Sequence, residues 1–170
     1  MRAAGALAVI LIGCQPIADD GSTFIAFQSD FVDFTNWDAF PIAAGDSDGL
    51  HTGGERTVYV DPLPPSGSTS FPIGTIVVKT IGDGLGADDH TFAMAKRGGT
   101  YNASGAAGWE WFELTPGPDG TVDAEPRIVW RGITPPQGEG YVGVTGGTCN
   151  DCHAAAAGND FVHALNLGAF

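Results

Sequence analysis

Short runs rich in β-branched and aromatic residues alternate along this chain with stretches rich in glycine and proline. Runs of this kind, bounded by turn-forming residues, are typical of β-strands rather than long helices. Five strands are predicted, at residues 56–60, 75–81, 90–96, 109–114 and 127–131. A glycine-rich linker joins the third run to the fourth, which favours an antiparallel hairpin. The pattern predicts a mainly β fold built on an antiparallel sheet.

Helical patterns are confined to two segments. At residues 28–37 aromatic side chains recur at every third position and Pro41 follows, which predicts a short amphipathic helix that ends there. Residues 153–170 contain helix formers interrupted by Gly158 and Asn159. We expect a helical turn, a break and a second short helix at the C-terminus, following a cysteine motif.

The strand at residues 75–81 has apolar side chains on both faces, as a central strand covered on two sides does. Lys79 lies inside it, and alternation puts its side chain on the same face as Val77 and Ile81. A buried ammonium group is costly unless a neighbouring group accepts it or reacts with it. Lys79 is therefore a candidate functional residue; the alternative is a side chain that extends along the apolar surface into water.

The first residues form an uncharged apolar run behind Arg2 that is too short to span a bilayer, so residues 1–13 are predicted to be a secretory signal peptide. The run ends in Leu-Ile-Gly-Cys14, which resembles the lipobox of bacterial lipoproteins. The resemblance implies that Cys14 is lipidated, and the polar, turn-rich residues after it predict a flexible tether, so that residues 14–25 are a lipidated N-terminus and tether. A chain of 170 residues, 43% of them hydrophobic, can bury one core, so residues 26–170 are predicted to form one folded domain. The alternative is a plain signal peptide with a chance cysteine.

The chain is strongly acidic, with 20 Asp and Glu residues against 7 Lys and Arg and a formal net charge of -13. This charge repels nucleic-acid phosphates and anionic lipid headgroups. We therefore expect no nucleic-acid partner, and contact with a membrane only through the lipid anchor. Gln15 after Cys14 is not a retention signal of the Asp type, which favours the periplasmic side of the outer membrane, or the cell surface.

Cys149, Cys152 and His153 fit the C-x-x-C-H pattern of c-type haem attachment. Because one helical turn brings positions i and i+3 to the same side, both thiols can bond to one haem edge while the next imidazole reaches the iron. The motif predicts one covalent haem c with His153 as iron ligand. Zinc would need four ligands, and the other histidines form no second paired motif. A thioredoxin-like redox pair would need a βαβ context that this strand-rich sequence lacks.

The cysteine count agrees with both assignments. The chain has 3 cysteines, and an exported protein that forms a disulfide from three leaves one over. With Cys14 bound to lipid and the other two to haem, none is left over. No disulfide is predicted.

Several segments in order resemble the cytochrome P460 family, which includes the β-sheet cytochromes c′ (cytochromes c′-β). They are the aromatic segment around Trp37, residues 56–62, residues 71–79, Trp109, the haem motif and residues 160–162. The strand that ends in Lys79 and the haem motif near the C-terminus are the specific part, since small helical cytochromes c carry the motif near the N-terminus. The resemblance implies a mainly antiparallel β fold, usually a homodimer, and a haem whose distal side binds small nitrogen compounds.

The resemblance also implies roles for single residues. Cys149 and Cys152 match the thioether anchors and His153 the proximal ligand. Lys79 stands where P460 enzymes carry the lysine that is bonded to the haem macrocycle. Arg56 matches an arginine at the start of its strand that would hold a haem propionate or stabilise an anionic ligand, the alternative being a surface ion pair. Lys79 and Arg56 are thus the expected catalytic residues.

The strand at residues 91–96 departs from the hydroxylamine-oxidising members, which place a distal carboxylate there for proton transfer. Phe92 takes that position, with Met94 on the same side. A phenylalanine over the iron resembles the cytochrome c′-β pocket, which binds nitric oxide. The expectation is a haem protein that binds, and in the enzyme case oxidises, hydroxylamine or nitric oxide with a redox partner protein. The alternatives are a non-catalytic nitric-oxide-binding protein, an electron carrier with Met94 as sixth ligand, and a structural lipoprotein with a vestigial motif.

The sequence does not decide the roles of two further groups of side chains. Four acidic residues in neighbouring elements are candidates for a proton relay, and the sequence does not say which of them faces the site: Asp88, Asp89, Glu110 and Glu113. His90 and His163 are candidates for a sixth iron ligand, although such histidines are more often surface or hydrogen-bonded residues.

Overall fold

The computed structural model describes residues 21–42, 56–81, 91–118, 120–133 and 148–170. The predicted signal peptide and lipidation site lie outside the described residues, and so do His51, His90, Asp88 and Asp89. Within the described ranges, no helix is long and apolar enough to cross a membrane.

A single antiparallel sheet of six strands dominates the described part of the chain, and its strands lie side by side in sequence order. The strands are β1 (Asp38–Ile42), β2 (Arg56–Asp61), β3 (Ile76–Ile81), β4 (Thr91–Lys96), β5 (Trp109–Pro116) and β6 (Pro126–Gly132). All five predicted strands are present, and β4 and β5 pair as the expected hairpin. The prediction of a mainly β, antiparallel fold is confirmed.

Strand β1 was not among the five predicted strands. The sequence pattern instead predicted a short helix that ends near Pro41. Proline has no N–H to donate, so it is tolerated in a strand at the edge of a sheet. β1 is such a strand, since it is the first in the order and pairs with β2. Its side chains are exposed or half-buried, so no strong apolar alternation marks it in the sequence.

The sheet is covered on both faces, as expected from the apolar residues on both sides of β3. Side chains of one face, which we call the C-terminal face, pack against the end of the chain; they include Val58, Val77, Met94, Trp109 and Trp111, with Val162, Leu165 and Leu167 from the end. Side chains of the other face, the N-terminal face, include Val78, Ala93 and Phe112, and pack against Ala26, Phe31 and Phe34. One face is thus covered by the segment before β1 and the other by the end of the chain.

The segment at residues 28–37 forms two 3₁₀ turns, Gln28–Phe31 and Phe34–Asn36, instead of one amphipathic helix. Asp33 between them has a left-handed backbone (φ 58°), which interrupts any continuous helix. A repeat of three is the period of a 3₁₀ helix, whereas an α-helix repeats every 3.6 residues. The aromatic spacing therefore identified a helical segment that faces the core, but its interpretation as one helix was wrong.

The C-terminal segment has the expected helical turn and a break, but a single 3₁₀ turn replaces the second short helix, and Gly158 and Asn159 lie inside a 3₁₀ stretch rather than at the break. Helix α1 (Cys149–His153) continues into a 3₁₀ stretch at Ala154–Asn159, and a last 3₁₀ turn lies at Leu167–Ala169. The break falls directly after Asn159, where Asp160 and Phe161 both have left-handed backbones (φ 50° and 66°).

Candidate functional site

Helix α1 consists of the five residues of the C-x-x-C-H motif. Its first turn is closed by a capping box in which the Thr148 side chain accepts from the Asp151 N–H and the Asp151 carboxylate accepts from the Thr148 N–H at 2.9 Å. Cys149 and Cys152 lie one helical turn apart, are half-buried, and are not joined in a disulfide. The helical spacing on which the motif's chemistry depends is therefore present.

Asn150, inside the motif, holds α1 against the sheet. Its side-chain oxygen accepts from the Asn102 amide at 2.8 Å, the Trp111 indole at 3.0 Å and the Ala106 N–H at 3.2 Å. Its own amide donates back to Asn102 at 2.9 Å. The motif is thus anchored to β5 and to the loop that precedes it, a contact that the sequence analysis did not predict because it joins residues far apart in the chain.

His153 is held in one orientation. Its Nδ1 lies 2.5 Å from the carbonyl oxygen of Phe161, and its ring packs on Trp111 with centroids 4.5 Å apart. A carbonyl oxygen can only accept, so Nδ1 carries the proton and the neutral imidazole keeps a lone pair on Nε2. Burial is the main cause that lowers the pKa of His153 to about 4, and the neighbouring His163 and Lys79 act in the same direction. At neutral pH His153 is therefore a neutral imidazole that can bind a metal through Nε2.

The sheet brings the other predicted residues onto the same C-terminal face. Lys79 lies opposite Val58 on one side and opposite Phe92 on the other, and Arg56 lies opposite Ile81. Because side chains alternate along strands, Arg56 shares the face of Val58, and Phe92 that of Met94. Residues of three strands therefore lie on the one side of the sheet against which Cys149 also packs.

Lys79 is near the motif in space as well as on the same face. Burial, and after it the positive charge of Arg56, lowers the pKa of Lys79 to about 8. Cys152 and Cys149 act in the opposite direction, as ionised thiols would. The lysine on an apolar strand face is therefore within electrostatic range of an arginine and of both cysteines, and it carries a proton that it loses at mildly basic pH.

Arg56 is buried, with 6% of its surface exposed, so the alternative of a surface ion pair is wrong. Its Nε is buried and has no hydrogen-bond partner among the described residues. Buried donors are nearly always paired, and an arginine fork suits carboxylates especially well. The guanidinium is thus placed to receive an anion on the C-terminal face.

Phe92 is half-buried beside Lys79, whereas Met94 is 5% exposed and packs in the core. Met94 pairs with Val77 on one side and Trp111 on the other. The two side chains point to the same side, as alternation predicted, and the register of β3 with β4 places them on the face of Lys79.

The structure separates the acidic candidates. Glu113 lies directly opposite Phe92 in the ladder, on the C-terminal face. Glu110 points to the opposite face, where it accepts two hydrogen bonds from Arg131 at 2.9 and 2.7 Å. Of the two described candidates for a proton relay, only Glu113 shares a face with Lys79.

His163 is exposed and lies next to His153, with ring centroids 5.1 Å apart. Its Nε2 is 3.0 Å from the carbonyl oxygen of Cys152, to which it donates. It thus contacts the same helix that carries His153.

Sequence reasoning missed a buried ion pair on this face. Lys96 Nζ lies 2.6 Å from Asp160 Oδ1, with both side chains about a tenth exposed. The sequence feature that could have revealed this pair is a second lysine at the end of a strand. Its partner Asp160 lies 64 positions away, so no local pattern identifies it. No group of three or more His, Cys, Asp or Glu side chains in the described part of the chain is arranged to hold a metal ion by itself.

Comparisons of the chain with models of protein families, with curated proteins and with solved structures found no match. The assignment of function therefore depends on the residues and their geometry.

Proposed function

We propose that this protein is a monohaem c-type cytochrome that binds, and oxidises, hydroxylamine or nitric oxide. The observation that carries the proposal is the convergence of Arg56, Lys79 and the C-x-x-C-H helix on one face of the sheet. Cys149 and Cys152 would form the thioethers, and His153 would bind the iron through Nε2.

Three features of the described residues fit a haem. The two thiols are one helical turn apart on a capped helix. The imidazole of His153 is neutral and its Nε2 has no hydrogen-bond partner among the described residues. The buried Arg56 Nε lacks a partner within the same residues, and a haem propionate is an anion of the kind that an arginine binds. A bound haem would supply a redox-active iron, on which the binding and oxidation of small nitrogen compounds depend.

Three side chains on the C-terminal face would act on a small polar ligand: Lys79, Phe92 and Glu113. Lys79 supplies an amine that is partly neutral near pH 8, which is the form able to bond covalently to an electrophilic carbon. Phe92 supplies an apolar side chain directly opposite Lys79, and Glu113 opposite Phe92 is the carboxylate that would accept a proton from the ligand. A redox partner protein would take up the electrons that the oxidation releases.

A second candidate function is nitric oxide binding without turnover. The position of Phe92 directly opposite Lys79 favours it, because an apolar side chain at that point neither accepts nor donates a proton. The electron carrier with Met94 as sixth ligand has less support, since Met94 is packed between Val77 and Trp111. The predicted homodimer and the lipid-anchored location in the periplasm or at the cell surface belong to the same proposal.

The test is expression of the full chain with the c-type haem maturation machinery, followed by measurement of covalent haem and of ferrous spectra with and without nitric oxide. We expect one haem per chain, lost in a Cys149→Ala, Cys152→Ala double variant. A red-shifted Soret band that disappears in Lys79→Ala would support a lysine cross-link and the oxidase. An ordinary spectrum that responds to nitric oxide, without hydroxylamine turnover, would support the binding protein. Absence of covalent haem from the parent would refute both.

A further inference from the structure

The backbone immediately after the 3₁₀ stretch at Ala154–Asn159 is unusual. Asp160 and Phe161 are consecutive, neither is glycine, and both have left-handed backbones (φ 50° and 66°). Non-glycine residues rarely adopt this conformation, and they keep it only where surrounding contacts enforce it. For an aromatic residue such as Phe161 this conformation is especially rare, so contacts with the surrounding residues must hold the turn in place.

Asp160 is held from three parts of the chain. Its carboxylate accepts from Lys96 Nζ at 2.6 Å and from the Phe71 N–H at 2.9 Å, and its carbonyl accepts from the Trp109 indole at 2.8 Å. Lys96 is itself fixed by the Ala107 carbonyl at 3.1 Å. The whole group lies on the C-terminal face, with the ion pair about a tenth exposed.

The turn determines where the next carbonyl points. Phe161 follows Asp160, and its carbonyl oxygen is the acceptor for His153 Nδ1 at 2.5 Å. In the peptide unit that joins Asp160 to Phe161, the Asp160 carbonyl accepts from Trp109 and the Phe161 N–H donates to the Ala156 carbonyl at 2.9 Å, so both ends of that unit are fixed. The position of the acceptor for His153 therefore depends on Asp160, which does not touch His153 in any described contact.

We propose that Asp160, held by Lys96, is a positioning residue that sets the tautomer and orientation of His153 through the Phe161 carbonyl. With the carbonyl in place, the proton stays on Nδ1 and Nε2 is available as a ligand atom. Partners that fix a histidine's second nitrogen also make it a stronger ligand. The inference deepens the proposed function and rests on it for the role of His153 as an iron ligand.

The main alternative is that the Lys96–Asp160 pair only stabilises the core. The chain offers a control on the opposite face of the sheet, where the buried Glu110, with a side chain 4% exposed, forms an ion pair with Arg131, which is 32% exposed. Loss of either ion pair should destabilise the fold, but only loss of the Lys96–Asp160 pair should change the tautomer and orientation of His153. A measurement of stability cannot separate the two roles, whereas a spectroscopic signature of His153 can.

The experiment uses the full chain without haem, labelled with ¹⁵N, and reads the tautomer of His153 from its ring nitrogens at pH 7. We expect the parent to carry the proton on Nδ1, Asp160→Ala and Lys96→Met to give a mixture of tautomers, and Asp160→Asn to stay close to the parent. Asparagine tolerates a left-handed backbone and keeps an oxygen for the Phe71 N–H, so it should rescue the turn. Glu110→Gln should leave the tautomer unchanged. If Asp160→Ala does not fold, Lys96→Met supplies the same comparison.

In the chain with haem, the same variants should lower the iron–histidine stretching frequency of the ferrous protein, because the ligand loses its Nδ1 hydrogen bond. An unchanged tautomer in both Asp160→Ala and Lys96→Met, or an equal change in Glu110→Gln, would overturn the inference. If the parent binds no haem, the proposed function fails, but the tautomer measurement still decides the role of Asp160.

Discussion

The indole N–H of Trp111 donates a 3.0 Å hydrogen bond to the side-chain oxygen of Asn150, and so joins an interior strand to the cysteine motif. The Trp111 ring also packs on His153, with centroids 4.5 Å apart. One side chain of the sheet thus contacts both the anchor of helix α1 and the proposed iron ligand. The position of the motif relative to Lys79 depends on this contact.

Replacement of Asn150 by alanine should lower the free energy of unfolding by about 2 kcal/mol or more, because Trp111, Asn102 and Ala106 lose their shared acceptor. Urea denaturation of the chain without haem measures this. Asn36→Ala is the control, since Asn36 is exposed, and it should change stability by less than about 0.5 kcal/mol. Equal effects of the two substitutions would mean that Asn150 does not anchor the helix.

The stability of the protein should depend on Lys79 between pH 8 and pH 10.5. Burial lowers the pKa of Lys79 to about 8 from its ordinary value of 10.5, so in this window the unfolded chain keeps a proton that the folded protein has released. The free energy of unfolding of the parent should therefore rise with pH relative to Lys79→Met, by at most on the order of 3 kcal/mol. Below pH 8 the difference between the two proteins should be constant.

Urea denaturation of both proteins across this pH range checks the prediction, and comparison with Lys79→Met removes the contribution of the cysteines. A flat difference curve from pH 8 to pH 10.5 would show that the ammonium group reaches water in the folded protein.

Phe31 should contribute far more to stability than Phe27, although both belong to the same segment. Phe31 is fully buried and packs on Phe112 with ring centroids 5.0 Å apart, whereas Phe27 is 64% exposed. Phe31→Ala should cost about 3 to 5 kcal/mol and Phe27→Ala less than about 0.5 kcal/mol in chemical denaturation. Similar losses for both would contradict the packing of the first 3₁₀ turn against the N-terminal face.

If the haem protein oxidises hydroxylamine, Glu113→Gln should lower kcat on the order of 10²-fold, because it removes the carboxylate opposite Phe92. Nitric oxide affinity should not change, since binding transfers no proton. Steady-state kinetics and ligand titration measure the two quantities, with Asp38→Asn as a control at an exposed position on β1. Full activity in Glu113→Gln would assign the proton transfer to another group.

Strand periodicity in the sequence accounts for most of the fold. The β-branched runs around Val58, Val78 and Ile128 form strands, and alternation within β3 assigns Lys79 to the face of Val77. Strand β1 was missed because an exposed edge strand that contains Pro41 has no alternation to detect. The repeat of three at residues 31–37 was assigned to the wrong kind of helix, because short segments carry too few residues to separate a period of three from one of 3.6.

The sequence by itself determined the chemistry that this protein has available: two thiols and an imidazole at one spacing, a lysine on an apolar strand face, and an arginine at the start of another strand. Each of these follows from a local pattern, because residue type and spacing along a helix or strand depend only on near neighbours. Only the tertiary structure decided that Arg56 is buried with an Nε unpaired among the described residues, that Glu113 rather than Glu110 shares the face of Lys79, and that the Phe161 carbonyl beside Asp160 is the acceptor of His153. These facts depend on strand register and on contacts between residues far apart in the chain, which many sequences of the same local pattern would arrange differently.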